Sequence, residues 1–211
     1  MTVRLPSFSK MKLPHLRGLA GESGLVLVSA SPRRRKILTE AGVEFEITEP
    51  QADETIPPHL SPDRLVMELA RRKVESAVKD NRRVYLACDT IVVLGNNILT
   101  KPDNETDALR ILKLLSGHEH SVFSGLALFD SRHGRCFEDF EESRVRFNHV
   151  TEQQLLDYIA TGEPLDKAGA YGIQGMGGFL VDSVEGNIDN VVGLPMQALE
   201  RLAARLRESY A

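Results

Sequence analysis

The stretch LVLVSASPRRRKIL, residues 25–38, limits the folds open to this chain more than any other. Leu25–Ser29 reads as a strand, and its continuous apolar start is the pattern of a buried central one. Pro32 suits the first turn of a helix, with Ser31 as N-cap and Gly42 as the natural stop after Ala41. A strand that turns straight into a helix points to a sheet with helices around it. Arg33, Arg34 and Arg35 then put three cations at the already positive end of that helix. Such a placement is unfavourable unless something negative sits there.

The rest of the chain repeats the alternation. Val43–Ile47 reads as a second strand, followed by the irregular acidic and proline-rich loop EPQADETIPPHLSPD. Ser61 and Pro62 open a helix whose apolar stripe is Leu65, Val66, Leu69, Ala70, Val74, Ala77 and Val78. VYLACDTIVVLGNNIL reads as a long strand, a Gly-Asn-Asn turn and a short return. Asn104–Leu115 is helical, Ser121–Phe129 and Glu141–Asn148 are strands, and Thr151 caps a helix through Ile159. The segment TGEPLDKAGAYGIQGMGGFLV is too rich in glycine to be regular throughout. Phe179–Val184 is a strand, and Met196–Arg207 a closing amphipathic helix. The pattern predicts a mixed α/β sheet flanked by helices.

Net charge decides where an anion can bind. The 211 residues carry a formal charge of −4, so any anion site is local and nucleic acid is not an expected stable partner. With Cys88 and Cys136 alone there is no disulfide framework, which fits a reducing, cytoplasmic setting. No apolar run approaches the ~20 residues needed to span a bilayer, so no membrane contact is expected. Residues 1–24 are basic and resemble an organelle transit peptide in composition. Pro6, Pro14 and three glycines favour reading them as a flexible extension ahead of one domain over 25–211.

Four places carry candidate chemistry. In SASPRRR, the hydroxyls of Ser29 and Ser31, the helix N–H groups and the arginine forks can together cradle phosphate. A solvated basic helix start is the plain alternative. Asp89 ends the apolar run VYLAC, where a carboxylate is costly unless it is paired, holds a cation or closes a turn with Thr90. Opposite a polyphosphate the fitting cation is Mg²⁺, whereas Asp53 and Glu54 taken alone are ordinary loop carboxylates. Lys101 stands on the extended backbone that Pro102 imposes. KAGAYGIQG, residues 167–175, is neither a Walker loop nor a dinucleotide fingerprint; its small residues let backbone approach a flat ligand, and Gln174 offers a two-sided amide.

In this order, SASPRRR, ADET, ACDTIV, KP, LSGHEHSVFSG, EPLDKAGAYGIQG and GNIDNVVGLP resemble the segments of the Maf family of nucleoside triphosphate pyrophosphatases, from about Leu25 onward. The resemblance implies an elongated mixed sheet with two lobes and a central cleft, similar to inosine triphosphate pyrophosphatases. It implies hydrolysis of a triphosphate to the monophosphate and pyrophosphate with a divalent metal, Mg²⁺ or Mn²⁺, in a homodimer. By motif, Arg33 and Lys101 fall on phosphate-binding positions, Glu54 and Asp89 on the acidic, metal-holding pair, and Gln174 on the glutamine of the glycine-rich loop. Asp89 takes the family's proton-acceptor place. Ser29, Ser31, Arg34, Thr90 and Lys167 join the expected substrate contacts. SPRR, DTIV and KAGAYGIQG resemble the branch acting on dTTP and UTP, and the chain has no Trp at the place where the 7-methyl-GTP branch carries one. The rivals are a purine or modified-guanosine triphosphate pyrophosphatase, and a non-enzymatic regulator of cell division that binds nucleotide or nucleic acid.

Overall fold

The computed structural model of the chain describes residues 7–53, 55–57, 59–79 and 82–210. In chain order the helices and strands are α1 (Pro14–Ser23), β1 (Leu25–Val28), α2 (Pro32–Glu40), β2 (Glu46–Thr48), α3 (Pro62–Ala77), β3 (Val84–Leu94), β4 (Asn97–Leu99) and α4 (Glu105–Leu115). They continue with β5 (Glu119–Asp130), β6 (Arg135–Phe147), α5 (Glu152–Ile159), β7 (Val181–Glu185), α6 (Ile188–Val192) and α7 (Met196–Glu208). Three 3-10 turns, Glu163–Asp166, Ala168–Ala170 and Met176–Leu180, break up the glycine-rich segment as its composition requires.

Among the described residues seven strands make one mixed sheet in the order β2-β1-β3-β5-β6-β7, with β4 paired to β3. β1 lies parallel to both β2 and β3, and all four of its residues are buried, which is why its sequence shows no polar alternation. β4 returns antiparallel along β3, and β7 runs antiparallel to β6. The mixed α/β class and the β3–β4 hairpin are as expected from sequence. β6 starts at Arg135, well before the expected Glu141, and the short α6 was not expected. β6 is half solvated, so its Phe and Glu residues fit a strand without the clean alternation that marks one in sequence.

Among the described residues the chain forms two compact units, with β3 divided between them after Asp89. The first comprises 7–89, Ser124–Glu141 and 193–210. Its core sets Ala70, Val74 and Ala77 of α3 against Val26 and Val28 of β1, Tyr85 and Ala87 of β3 and Ala127 of β5. Small residues let helix and sheet come close, and at Gly125 of β5 the approach is tight: a Cβ there would collide with the Val66 carbonyl of α3. Gly125→Ala is therefore expected to destabilise the protein by about 2 kcal/mol, as overpacking against rigid backbone does, read as a lower urea midpoint at unchanged slope.

Residues 14–23, assigned by sequence to a flexible extension, instead form a helix docked on α7. Pro14 occupies the first helical position, where its missing N–H costs nothing. Leu13 lacks a capping side chain, and Glu200 of α7 replaces it by accepting from the N–H groups of His15 and Leu16 at 2.8 and 3.0 Å. Gly18 does not break the helix; the space it leaves is filled by the Arg207 guanidinium, which also pairs with Glu22 at 2.8 Å. Leu16 and Leu19 are fully buried by this docking. At the C-terminal end, burial would raise the Asp130 carboxyl, but donors from His133, Tyr210 and Arg132 outweigh it and hold it down to about 2. Among the described residues no helix is long and apolar enough to cross a membrane.

The second unit comprises Thr90–Phe123 and Glu142–Val192. Local signals set its helices: Asn104 caps α4 by accepting from Asp107 N–H at 3.0 Å, and Thr151 and Gln154 complete a capping box on α5. Its aromatic centre is edge-to-face packing of His120, Phe147 and Tyr171, with ring centroids 4.7 to 5.4 Å apart.

Candidate active site

In the first unit the turn after β1 is locked by its own serines. Ser29 N–H closes onto Thr48 O at 2.9 Å, extending the β1–β2 pairing. Its hydroxyl accepts from Ser31 N–H at 3.1 Å, and the Ser31 hydroxyl caps α2 on Arg34 N–H at 3.5 Å. Arg34 bends back: its Nε donates to Gly193 O at 2.8 Å and its terminal nitrogen to Ser29 Oγ at 3.5 Å. Ser29, Ser31 and Arg34 thus build the turn, while Arg33 stands half-buried in the first helical turn it supports. Cys88 is a buried core thiol that also donates to Gly193 O, at 3.3 Å.

Asp89 lies in β3 with its side chain 14% exposed, and the Nζ of Lys73 donates to its Oδ1. Lys73 comes from α3, is itself 8% exposed, and was not among the residues expected from sequence. The signal was present: it interrupts the apolar stripe between Ala70 and Ala77, facing the sheet. A buried carboxylate and ammonium offset each other's desolvation, so the pair fixes the Asp89 side chain at one place in the strand. Glu54 lies outside the described residues. Its neighbour Asp53 accepts the Thr55 hydroxyl at 2.6 Å and the Thr55 N–H at 2.9 Å, which together hold the carboxyl below its usual range.

Among the described residues no three His, Cys, Asp or Glu side chains gather as a closed metal cage would require. A hard cation carried on one or two carboxylates plus substrate oxygens needs no such cage. The Asp89 carboxylate, with Lys73 on one oxygen, is a donor of the right kind for that open mode of binding.

In the second unit Thr90 follows Asp89, half-buried, and Lys101 is exposed at the end of the β4 return. Thr100 O accepts from Gly169 N–H at 3.1 Å, so the glycine-rich loop begins beside Lys101. Gly169 sits at φ +71°, and a Cβ there would come within 2.8 Å of Val92. Ala170 takes φ 57° without being glycine, a strain of about 1–2 kcal/mol that the surrounding packing must hold. Lys167 donates to Glu163 O at 2.5 Å and to the Asp166 carboxylate at 2.6 Å, so it fastens the loop to itself. Tyr171 Oη meets His120 Nε2 at 2.9 Å, and burial pushes the imidazole down to about 4, which keeps it neutral. Gln174 is half-buried at the bend between Gly172 and Gly175.

The structure thus groups the expected residues in two sets: Ser29, Ser31, Arg33 and Arg34 on one turn with Asp89 in the same unit, and Thr90, Lys101, Lys167 and Gln174 in the other. The model of the Maf-like protein family matches residues 24–206 of this chain. A dTTP/UTP pyrophosphatase of Moorella thermoacetica is 44% identical over 183 residues, 86% of this chain and 94% of the relative. Relatives of the same name from Caldicellulosiruptor saccharolyticus and Geotalea uraniireducens are 41% and 42% identical over 86% and 88% of this chain and 94% and 98% of their own. Among solved structures, a nucleoside-triphosphatase described as a dITP/XTP pyrophosphatase from Mycobacterium abscessus overlaps 88% of this chain and 96% of its own, at a TM-score of 0.42 and 12% identity.

Proposed function

The chain belongs to the Maf-like protein family, and from that premise we propose that it hydrolyses dTTP and UTP to the monophosphate and pyrophosphate. The relatives at 41–44% identity support the reaction and the substrates. The single structural observation behind it is Asp89, a carboxyl group fixed in a largely buried strand by an ion pair with Lys73. A group so placed serves as proton acceptor for the water that attacks the α-phosphorus. Lys73 positions that carboxylate. Arg33 and Lys101 take the roles of holding the phosphates and stabilising charge as it grows on the leaving pyrophosphate, which is mostly electrostatic work.

The proposal includes a divalent cation, Mg²⁺ or Mn²⁺, with Asp89 and Glu54 as its protein ligands. Bound there, it would lower the pKa of water and neutralise phosphate oxygens. Gln174 would read the O4/N3–H edge that thymine and uracil share; cytosine reverses that edge, so a fixed amide discriminates against it. A homodimer and a cytoplasmic location belong to the same reading. The docking of residues 14–23 on α7 supports treating them as part of the folded enzyme.

Pyrophosphate release from a panel of triphosphates, with Mg²⁺ or Mn²⁺ and with chelator, tests this. The expected result is metal-dependent release from dTTP and UTP, with CTP and GTP poor. Release from purine nucleotides instead would keep the catalytic carboxylate and overturn the role given to Gln174. No release from any of them, with salt-sensitive binding to nucleic acid, would establish the non-enzymatic rival.

A further inference from the structure

We propose that Glu163 is a positioning residue that sets base selectivity, by clamping the glycine-rich loop in one conformation around Gln174. The inference rests on the dTTP/UTP reading above. A stretch with glycine at 172, 175, 177 and 178 has little intrinsic preference for any one shape. An amide at its bend discriminates between O4/N3–H and its reverse only if the backbone beneath it is held.

The hold comes from one carboxylate. Glu163 Oε2 accepts from Met176 N–H at 3.0 Å, and Oε1 accepts from Gly177 N–H at 3.2 Å and from the Tyr158 hydroxyl at 3.0 Å. The Tyr158 oxygen accepts in turn from Gly172 N–H at 3.1 Å. The backbone two residues before Gln174 and two residues after it therefore ends on Glu163, directly or through one phenol. Burial pushes the Tyr158 phenol up, so it stays protonated and keeps its donor role.

The glycines fit this clamp. A Cβ at Gly175 would come within 2.7 Å of Glu163 Oε2, and one at Gly177 within 2.5 Å of Tyr158 Oη. Their missing side chains admit the carboxylate and the phenol, a different use from the close approach to a flat ligand expected from sequence. Lys167 reinforces the base of the clamp by donating to the backbone carbonyl of Glu163.

Glu163→Gln keeps size and one acceptor but turns an NH₂ toward an N–H, and Tyr158→Phe removes only the relay to Gly172. In both, KM for UTP is expected to rise about tenfold, the effect of roughly one lost charge-assisted hydrogen bond, with kcat much less affected. The preference for UTP over CTP should fall by a similar factor, while inhibition by inorganic pyrophosphate stays as in the parent. Amide hydrogen exchange across residues 172–177 in the ligand-free protein should quicken. An unchanged UTP/CTP ratio in an active E163Q enzyme would overturn the proposal, even if its melting temperature drops. Unchanged exchange would overturn the clamp itself whatever the activity. Failure of the parent enzyme to release pyrophosphate from any triphosphate, with the exchange effect present, would instead refute the functional reading and the selectivity role together, leaving a clamp without that task.

Discussion

Asp89→Asn is expected to lower kcat for dTTP by about a thousandfold, within the range that a positioned general base contributes, while the triphosphate still binds within a few-fold of the parent affinity. Asparagine keeps the shape of the side chain and an oxygen that can accept from Lys73 Nζ, so β3 and α3 remain packed. What disappears is the capacity to take a proton. The stability loss should stay near 1–2 kcal/mol, the difference between a charged and a neutral acceptor for a buried ammonium. Calorimetric binding of the triphosphate beside single-turnover pyrophosphate release separates the two effects. Lost binding in a protein that melts normally would assign Asp89 to affinity and not to proton transfer.

Lys73→Met should have the larger effect on stability. The Lys73 and Asp89 side chains are 10% and 14% exposed, so methionine leaves a carboxylate in a strand with little water to replace the lost charge. Removing one partner of such a pair costs about 3–5 kcal/mol, which for a domain of this size lowers the melting temperature by roughly 10 °C. Turnover should fall as well, because the carboxylate then loses the partner that fixes its orientation. The double variant Lys73→Met with Asp89→Leu should recover much of the stability and none of the activity, since an apolar pair of similar volume carries no desolvation cost. If Lys73→Met melts like the parent, the ion pair does not hold the site together. If it melts low but keeps full kcat, Lys73 serves the fold alone.

Much of the fold was legible because its signals are local. Ser31 and Pro32 start α2, Asn104 starts α4, and Thr151 with Gln154 starts α5, each through hydrogen bonds within four residues. The burial of β1 on both faces is written in its unbroken apolar run. The helix at residues 14–23 is not legible along the chain because it depends on Glu200, 184 and 185 residues away from the N–H groups it caps. No propensity argument about Pro14 or Gly18 could supply that partner.

The candidate site divides in the same way. The sequence by itself determined which chemistry is available: a hydroxyl-and-arginine turn, a carboxylate stranded in an apolar strand, a glycine-rich loop around an amide. It also determined the family, through several motifs in one order. Only the tertiary structure decided how those groups are used. It turned Arg34 onto Gly193 and left Arg33 in the first turn of α2, paired Asp89 with Lys73, turned Lys167 inward, and closed the glycine loop on Glu163. Capping and periodicity act over a single helical turn and so can be read along the chain. The partner of a buried charge or of a loop amide depends on which faces pack together, and distant segments settle that only once the chain has folded.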